Sequence, residues 1–274
     1  MDGPNNLPLP PWWSSRETSH AARDGARKSS RHGRSGGRSG NDPGAPLREP
    51  VTPDRIADAA LRVIDARGLD GLTVRALAQE LGFGTMTLYW YVQNKDEVLD
   101  LVSDRLVAGV VIPPADTDWR VAVREVAIAV RAAVLRHANA VPVLVSRGSF
   151  GPNVMRLTDE AVRAFRSAGF GETDAADAYF AVSNFVYGSC ASQTSSASPS
   201  ARPDLDRKAY FGLVRQYIAS LPANLYPNLQ AAAPRMFTAS PDERFAFGMD
   251  CLIAGLEARL AAANAAAHAE GSKA

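Results

Sequence analysis

Thr73, Arg75, Thr85, Met86, Thr87, Tyr89, Tyr91 and Lys95 bring hydroxyls, two cations and a flexible thioether into one short stretch, TVRALAQELGFGTMTLYWYVQNK. Hydroxyls and a thioether at the start of an exposed helix suit base edges and the thymine methyl, while a tyrosine hydroxyl suits a phosphate oxygen. A lysine at a helix N-terminus adds an ammonium to the orphan amides that hold a DNA backbone. Catalysis has less to work with. Ser, His and Asp all occur, but the chain shows no nucleophile elbow, phosphate-binding glycine loop or metal-ligand spacing. The chemistry on offer is non-covalent reading of a duplex.

The elements needed to position these groups are legible around them. Thr73 suits an N-cap, Val74, Leu77, Ala78 and Leu81 recur on one helical face, and Gly82 stops the helix. Gly82, Phe83 and Gly84 make a tight connection in which glycines can take positive φ. Thr85 to Val92 then form a second helix, with Leu88 and Val92 packed inward and Thr85, Met86, Thr87, Tyr89 and Tyr91 outward. Asn94 and Glu97 form a capping box that opens another helix, Lys95 to about Val110. Upstream, Thr52 and Pro53 begin a helix whose stripe is Ile56, Ala60, Val63, Ile64 and Ala66, closed at Gly68. The pattern is a helix-turn-helix. Three amphipathic helices of an ordinary α-helical core, with Tyr89 and Trp90 as packing aromatics, would share it. From Val51 to Asp100 five basic residues face eight acidic ones, so this is no basic patch.

On Ala59, Ala60, Gly68, Gly71, Leu72, Thr73, Arg75, Leu77, Ala78, Leu81, Gly82, Thr87, Leu88, Tyr89, Val92, Asn94 and Lys95 the chain resembles the TetR (tetracycline-repressor) family of one-component regulators. The LYWYVQNK run is especially similar to the tetracycline-repressor branch. The resemblance implies that Arg75, Thr85, Met86, Thr87, Tyr89, Tyr91 and Lys95 approach DNA, with Thr73 at the same surface, and that Trp90 packs against the neighbouring domain or the fourth helix.

Residues 1–50 are rich in Gly, Ser, Pro, Arg and Asn with hardly any aliphatic periodicity, the composition of a disordered extension. Arg23, Arg27, Lys28, Arg31, Arg34 and Arg38 against Asp24 form a cationic run that could lie along phosphates. A solvated linker or an over-long start reads equally well. The prolines and tryptophans at the start do not fit a signal peptide. A formal charge of +1 excludes a histone-like polyelectrolyte. Two cysteines fit buried thiols in a reducing cytoplasm, four scattered histidines do not suggest a metal site, and no apolar run spans a bilayer. No cofactor, metal or membrane partner is expected.

From about Trp119 helical periodicity continues, with helices expected near 118–136, 140–147, 152–168, 174–194, 205–220 and 241–267. Pro222 to Pro234 and the Ser-rich 192–204 segment read as loops. The expected fold is all-α: a three-helix helix-turn-helix DNA-binding domain at 51–112, a larger helical ligand-binding and dimerisation domain at 113–267, and a disordered tail at 268–274. RAAVLRHANAVPVLVSRGS, LTDEAVRAFRSAGF and DAADAYFAVSNFVYGS resemble the C-terminal domain of the tetracycline repressor. In that branch a histidine coordinates a magnesium–tetracycline chelate and a glutamine serves the pocket. Here those places fall at Leu144 or Val145 and at Ala161.

His137, Leu144, Arg147, Phe150, Met155, Phe165, Phe180 and Asn184 are the candidate ligand contacts, with Val143, Tyr179, Val182, Ser146 and Ser183 as possible neighbours. Each also suits simple packing or a cap. Tyr187 on one helix, and Met249, Leu252 and Leu256 on another, are candidates for a dimer interface, or for inward stripes of one subunit. The resemblance implies a homodimeric repressor with a double-stranded, palindromic DNA operator and a small-molecule effector. A C-terminal domain that binds a protein partner, or more remotely a helical enzyme, are the alternatives.

Overall fold

The computed structural model describes residues 51–147, 150–197 and 207–271. The basic run from Arg23 to Arg38 lies outside the described residues. Among those described there are α-helices and two 3-10 turns and no strand. The chain enters α1 (Pro53–Arg67), passes a 3-10 turn at Leu69–Gly71, and continues through α2 (Val74–Leu81), α3 (Thr85–Leu88) and α4 (Lys95–Leu106). The second half is α5 (Trp119–Leu135), α6 (Val141–Ser146), α7 (Pro152–Ser167), α8 (Glu172–Ala197), α9 (Arg207–Ser220), α10 (Pro227–Thr238) and α11 (Pro241–Gly271).

Caps set the first boundaries. The Thr52 hydroxyl accepts from Arg55 N at 3.2 Å and that of Thr73 from Ala76 N at 3.1 Å. Asn94 Oδ1 accepts from Glu97 N at 2.9 Å, but the returning Glu97 carboxylate takes Gln93 N–H, so the capping box closes one residue early. Gly82 ends α2 at φ 73°, a left-handed conformation that favours glycine, whereas Gly84 stays at φ −75°. Only one of the two turn glycines therefore uses positive φ.

Several expected boundaries shift. The recognition element is regular only over Thr85–Leu88 and continues as turns through Tyr91, and α4 stops at Leu106 rather than near Val110. The Ser-rich stretch is helical as far as Ala197, and α11 runs past 267 to Gly271. The span read as proline punctuation contains α10, with Pro227 in its first turn and Pro234 inside it. Proline is free of cost in a first turn, where the amide has no intrahelical partner. No single described helix is long and apolar enough to cross a membrane.

Packing joins the halves through α4. Ile64, Leu77, Leu88 and Val102 share one continuous apolar core with Val134, Val141, Val143, Leu144 and Cys190. A second core gathers Trp119, Phe165, Phe170, Phe245 and Met249, with the rings of Trp119, Phe165 and Phe170 in mutual tilted and edge contact. Between them, buried Asp104 near the end of α4 accepts from Asn153 Nδ2 at 2.7 Å and from Val154 N at 2.9 Å. This carboxylate caps the N-terminus of α7 across the fold, where the helix dipole favours negative charge. Gly151 permits the approach, since a Cβ there would overlap the Asp104 side chain.

Replacing Asp104 by Ala leaves the buried Val154 amide and the half-buried Asn153 amide group without their partner. The expected cost is about 1–3 kcal/mol of stability, read as a lower urea midpoint at unchanged m-value. An unchanged midpoint would show that the cap contributes nothing.

Candidate functional site

Two surfaces gather the sequence candidates. The first is the outer face of α2 and α3. Thr73, Arg75, Thr85, Met86, Thr87, Tyr89 and Lys95 are all exposed there, Met86 by 76%. Thr73, Tyr89 and Lys95 border the same shallow groove, floored by Leu72, Leu77, Leu88 and Val98. Lys95 Nζ donates to Leu69 O at 3.3 Å, which holds the ammonium beside the groove. Two aromatics differ from expectation. Tyr91 is half-buried and packs on the first core, because α3 has ended and the chain has turned inward. Trp90 is 56% exposed and belongs to neither apolar core.

The second surface is a cavity of about 370 Å³ between α5, α7 and α8, with the segment 112–118 as a further wall. Ala122, Val123, Val126 and Val130 of α5 face Leu157, Ala161, Ala164 and Phe165 of α7 and Tyr179, Val182, Val186 and Tyr187 of α8. The lining is mainly apolar. Its polar groups are few: Thr158 Oγ1 donates to the Tyr179 hydroxyl at 2.8 Å, Arg163 pairs with Glu160 at 2.6 Å, and exposed Asp116 and Asp118 stand where the lining meets solvent. Val107, just after α4, and Val154, whose amide Asp104 caps, also line it.

Of the eight candidate ligand contacts only Phe165 lines this cavity; Tyr179, Val182 and Ser183, named as neighbours, do so as well. His137 and Arg147 serve the junction of the two halves instead. His137 Nδ1 lies 2.8 Å from Asp65 Oδ2 of α1, and Arg147 reaches Asp96 at 2.7 Å and Asp100 at 3.3 Å on α4. Leu144 is buried in the first core. Phe150, Met155 and Phe180 are exposed away from the cavity, at 58%, 40% and 58%, and Asn184 is exposed on the same turn-spaced face of α8 as Phe180. Neither Leu144 nor Val145 lines the cavity, whereas Ala161 does.

The dimer candidates need a similar correction. Met249 and Leu256 are buried within the second core, Leu252 packs against it, and Tyr187 lines the cavity. Their stripe faces inward in one subunit because α11 lays it against α8. The outward faces carry Phe180, Asn184 and Gly188 on α8 and Phe247, Cys251, Ala254 and Ala258 on α11. The wall at 112–118, with Pro113 and Pro114, carries no helical periodicity and so gives no sequence signal of a place in the cavity.

A groove-facing helix-turn-helix followed by a helical domain around an apolar cavity defines a DNA-binding regulator with a small-molecule chamber. Residues 56–102 match the family described as bacterial regulatory proteins, tetR family, and residues 112–260 match the tetracyclin repressor-like C-terminal domain. The repressor DrrR1 of Streptomyces coeruleorubidus is 32% identical over 77% of this chain and 79% of its own length. The class A tetracycline repressor of transposon 1721 from Escherichia coli is 30% identical over 76% of this chain and 92% of its own length. Among solved structures, ActR of Streptomyces coelicolor in complex with actinorhodin is 35% identical with a TM-score of 0.69, covering 77% of this chain and 99% of that one. This chain belongs to the TetR family of transcriptional regulators, with a helix-turn-helix DNA-binding unit and a ligand-binding C-terminal domain.

Burial pushes the Tyr187 phenol up to about 12, with the Tyr179 and Cys190 groups adding in the same direction. Its neutral form is therefore the one present in the cavity at ordinary pH. The native state resists losing this proton while the unfolded chain, near pH 10, gives it up. Stability linked to Tyr187 is complete below about pH 10 and is lost as pH rises towards 12. The difference in phenolate absorbance between the native protein and Tyr187→Phe should show one group titrating near 12; titration near 10 would contradict the burial.

Proposed function

We propose that the chain is a homodimeric, cytoplasmic repressor that binds a palindromic DNA operator and is released when a small, largely apolar molecule enters the cavity. Residues 51–112 are its DNA-reading unit and 113–267 its ligand-binding and dimerisation unit. The observation that carries the reading is the cavity's position: its lining includes Val107 and Val154, on either side of the Asp104 cap that joins α4 to α7. A molecule that spreads α5, α7 and α8 therefore acts on the helix leading to the DNA-reading unit. Release requires only that the effector bind the DNA-incompatible arrangement more tightly than the DNA-bound one.

For a dimer to engage two half-sites, the recognition elements must sit one turn apart in successive major grooves, about 34–36 Å. The outward faces of α8 and α11 suit the pairing of two copies. Small residues, Gly188, Ala254 and Ala258, let helices approach closely, and Phe180 and Phe247 supply apolar area.

Mutation of the DNA-facing surface tests the reading. Tyr89→Ala and Lys95→Ala should weaken operator binding nearly uniformly across sequences, whereas substitutions at Thr85 or Met86 should change which bases are preferred. Unaltered affinity and preference in all four variants, in proteins folded by circular dichroism, would refute the assignment.

Tetracycline with magnesium is not the expected effector. Leu144 is committed to the core, Val145 points elsewhere, and Ala161 offers the cavity a methyl group, so no imidazole or amide orients the chelate. Calorimetry should find no submicromolar, magnesium-dependent binding of tetracycline.

A further inference from the structure

Among the cavity's polar side chains several are already satisfied, Asp116 and Ser167 are exposed, and Tyr187 is enclosed by both apolar cores. Arg163 and Glu160 neutralise each other, the Ser183 hydroxyl donates to Phe180 O at 3.3 Å, and Thr158 donates to the Tyr179 oxygen. The Tyr187 hydroxyl has no hydrogen bond among the described residues. Nor is it walled in: the buried side-chain atoms left without a partner among the described residues are Ser103 Oγ and Arg131 Nε. Its oxygen therefore reaches open space, and Tyr187 is a lining residue of the cavity.

The Tyr179 phenol stands near enough to act on Tyr187 electrostatically. The Tyr179 hydroxyl is already paired with Thr158, and either of the two can be the donor. Two phenols, Tyr179 paired with Thr158 and Tyr187 unpaired among the described residues, thus line one mainly apolar chamber. A phenol is protonated at every physiological pH, so Tyr187 offers a donor there. Such a donor favours a ligand acceptor and penalises a hydrocarbon that displaces its water without replacing the bond.

We propose that Tyr187, two turns along α8 from Tyr179, is the specificity-determining donor of this chamber, selecting apolar molecules that carry a carbonyl oxygen. The proposal rests on the reading of the cavity as the effector site. Tyr187 also packs against both apolar cores, so a hydrogen bond to its hydroxyl holds a side chain that the DNA-reading unit's core touches.

A matched pair of planar tricyclic probes tests it, 9-fluorenone with a ketone and fluorene with a methylene in the same place. Equilibrium dialysis against the full chain should show fluorenone bound about five- to tenfold more tightly than fluorene, the size of one neutral hydrogen bond. In Tyr187→Phe the preference should fall to about twofold or less, with fluorene binding unchanged or somewhat tighter. Absence of a preference in the native protein, or the same preference in the variant, overturns the proposal. The carbonyl stretch of fluorenone bound to the native protein gives a readout that does not depend on the variant's folding: it should lie below its frequency in cyclohexane, and an unshifted band overturns the proposal. Ala161→Trp, which fills the chamber, separates the two levels of inference. If both probes bind equally and both are lost in that variant, the chamber stands as a binding site and only the donor role fails. If neither probe binds the native protein, or binding survives the filling, the effector site itself fails and the proposal with it.

Discussion

Helix α4 has to satisfy two partners at once, and the rest of the structure is arranged around that constraint. Leu99, Val102 and Leu106 are buried with α1, while adjacent polar residues near its end turn to different neighbours. Asp104 caps α7 through Val154 N and Asn153, and Arg105 makes a two-pronged contact with Asp58 of α1, at 2.6 and 3.2 Å. Further along, Arg147 ties the end of α6 to Asp96 and Asp100, and Asn139 donates to the carbonyls of Ile64 and Asp65 at the end of α1. The buried cap is costly to break because the Val154 amide cannot reach water, whereas the exposed ion pairs each contribute little. Orientation comes from their number and placement.

The second half is held by a different balance. Arg120, Arg124 and Arg131 of α5 pair with Glu257, Asp250 and Asp242 of α11, a descending order that aligns the two helices antiparallel. Arg131 is the most enclosed, bonded also to Gln193 and stacked over Phe245 at 4.8 Å. Charged pairs along this outer seam leave the space between α5, α7 and α8 to apolar side chains. The chamber is bounded by aromatic packing around Trp119 and Phe165 on one side and by the joint with α4 on the other. A chamber placed at that joint can alter the joint.

The face of each long helix follows from which neighbours claim it. On α8, Ala175, Ala178, Val186 and Cys190 are buried, Tyr179, Val182 and Tyr187 border the chamber, and Phe180, Asn184 and Gly188 remain outward. A helix apolar nearly all round has no single amphipathic stripe. Its sequence therefore could not say which aromatic would meet a ligand, a core or a second copy.

What the sequence determined by itself was local. The caps at Thr52, Thr73 and Asn94, the left-handed stop at Gly82 and the buried pair Leu88 and Val92 all depend on interactions within a few residues, so residue type and spacing sufficed. The same spacing placed Thr85, Met86, Thr87 and Tyr89 outward together. The tertiary structure decided the rest, because it concerned contacts between residues far apart in the chain. His137 and Arg147 looked like ligand anchors until α1 and α4 supplied Asp65, Asp96 and Asp100. Met249 and Leu256 suited either an interface or a core, and α8 lying against α11 made them core. Tyr187 came to line the cavity only when α5 and α7 packed against α8. Periodicity fixes that a helix has an apolar face; the partner that buries the face is chosen by the whole fold.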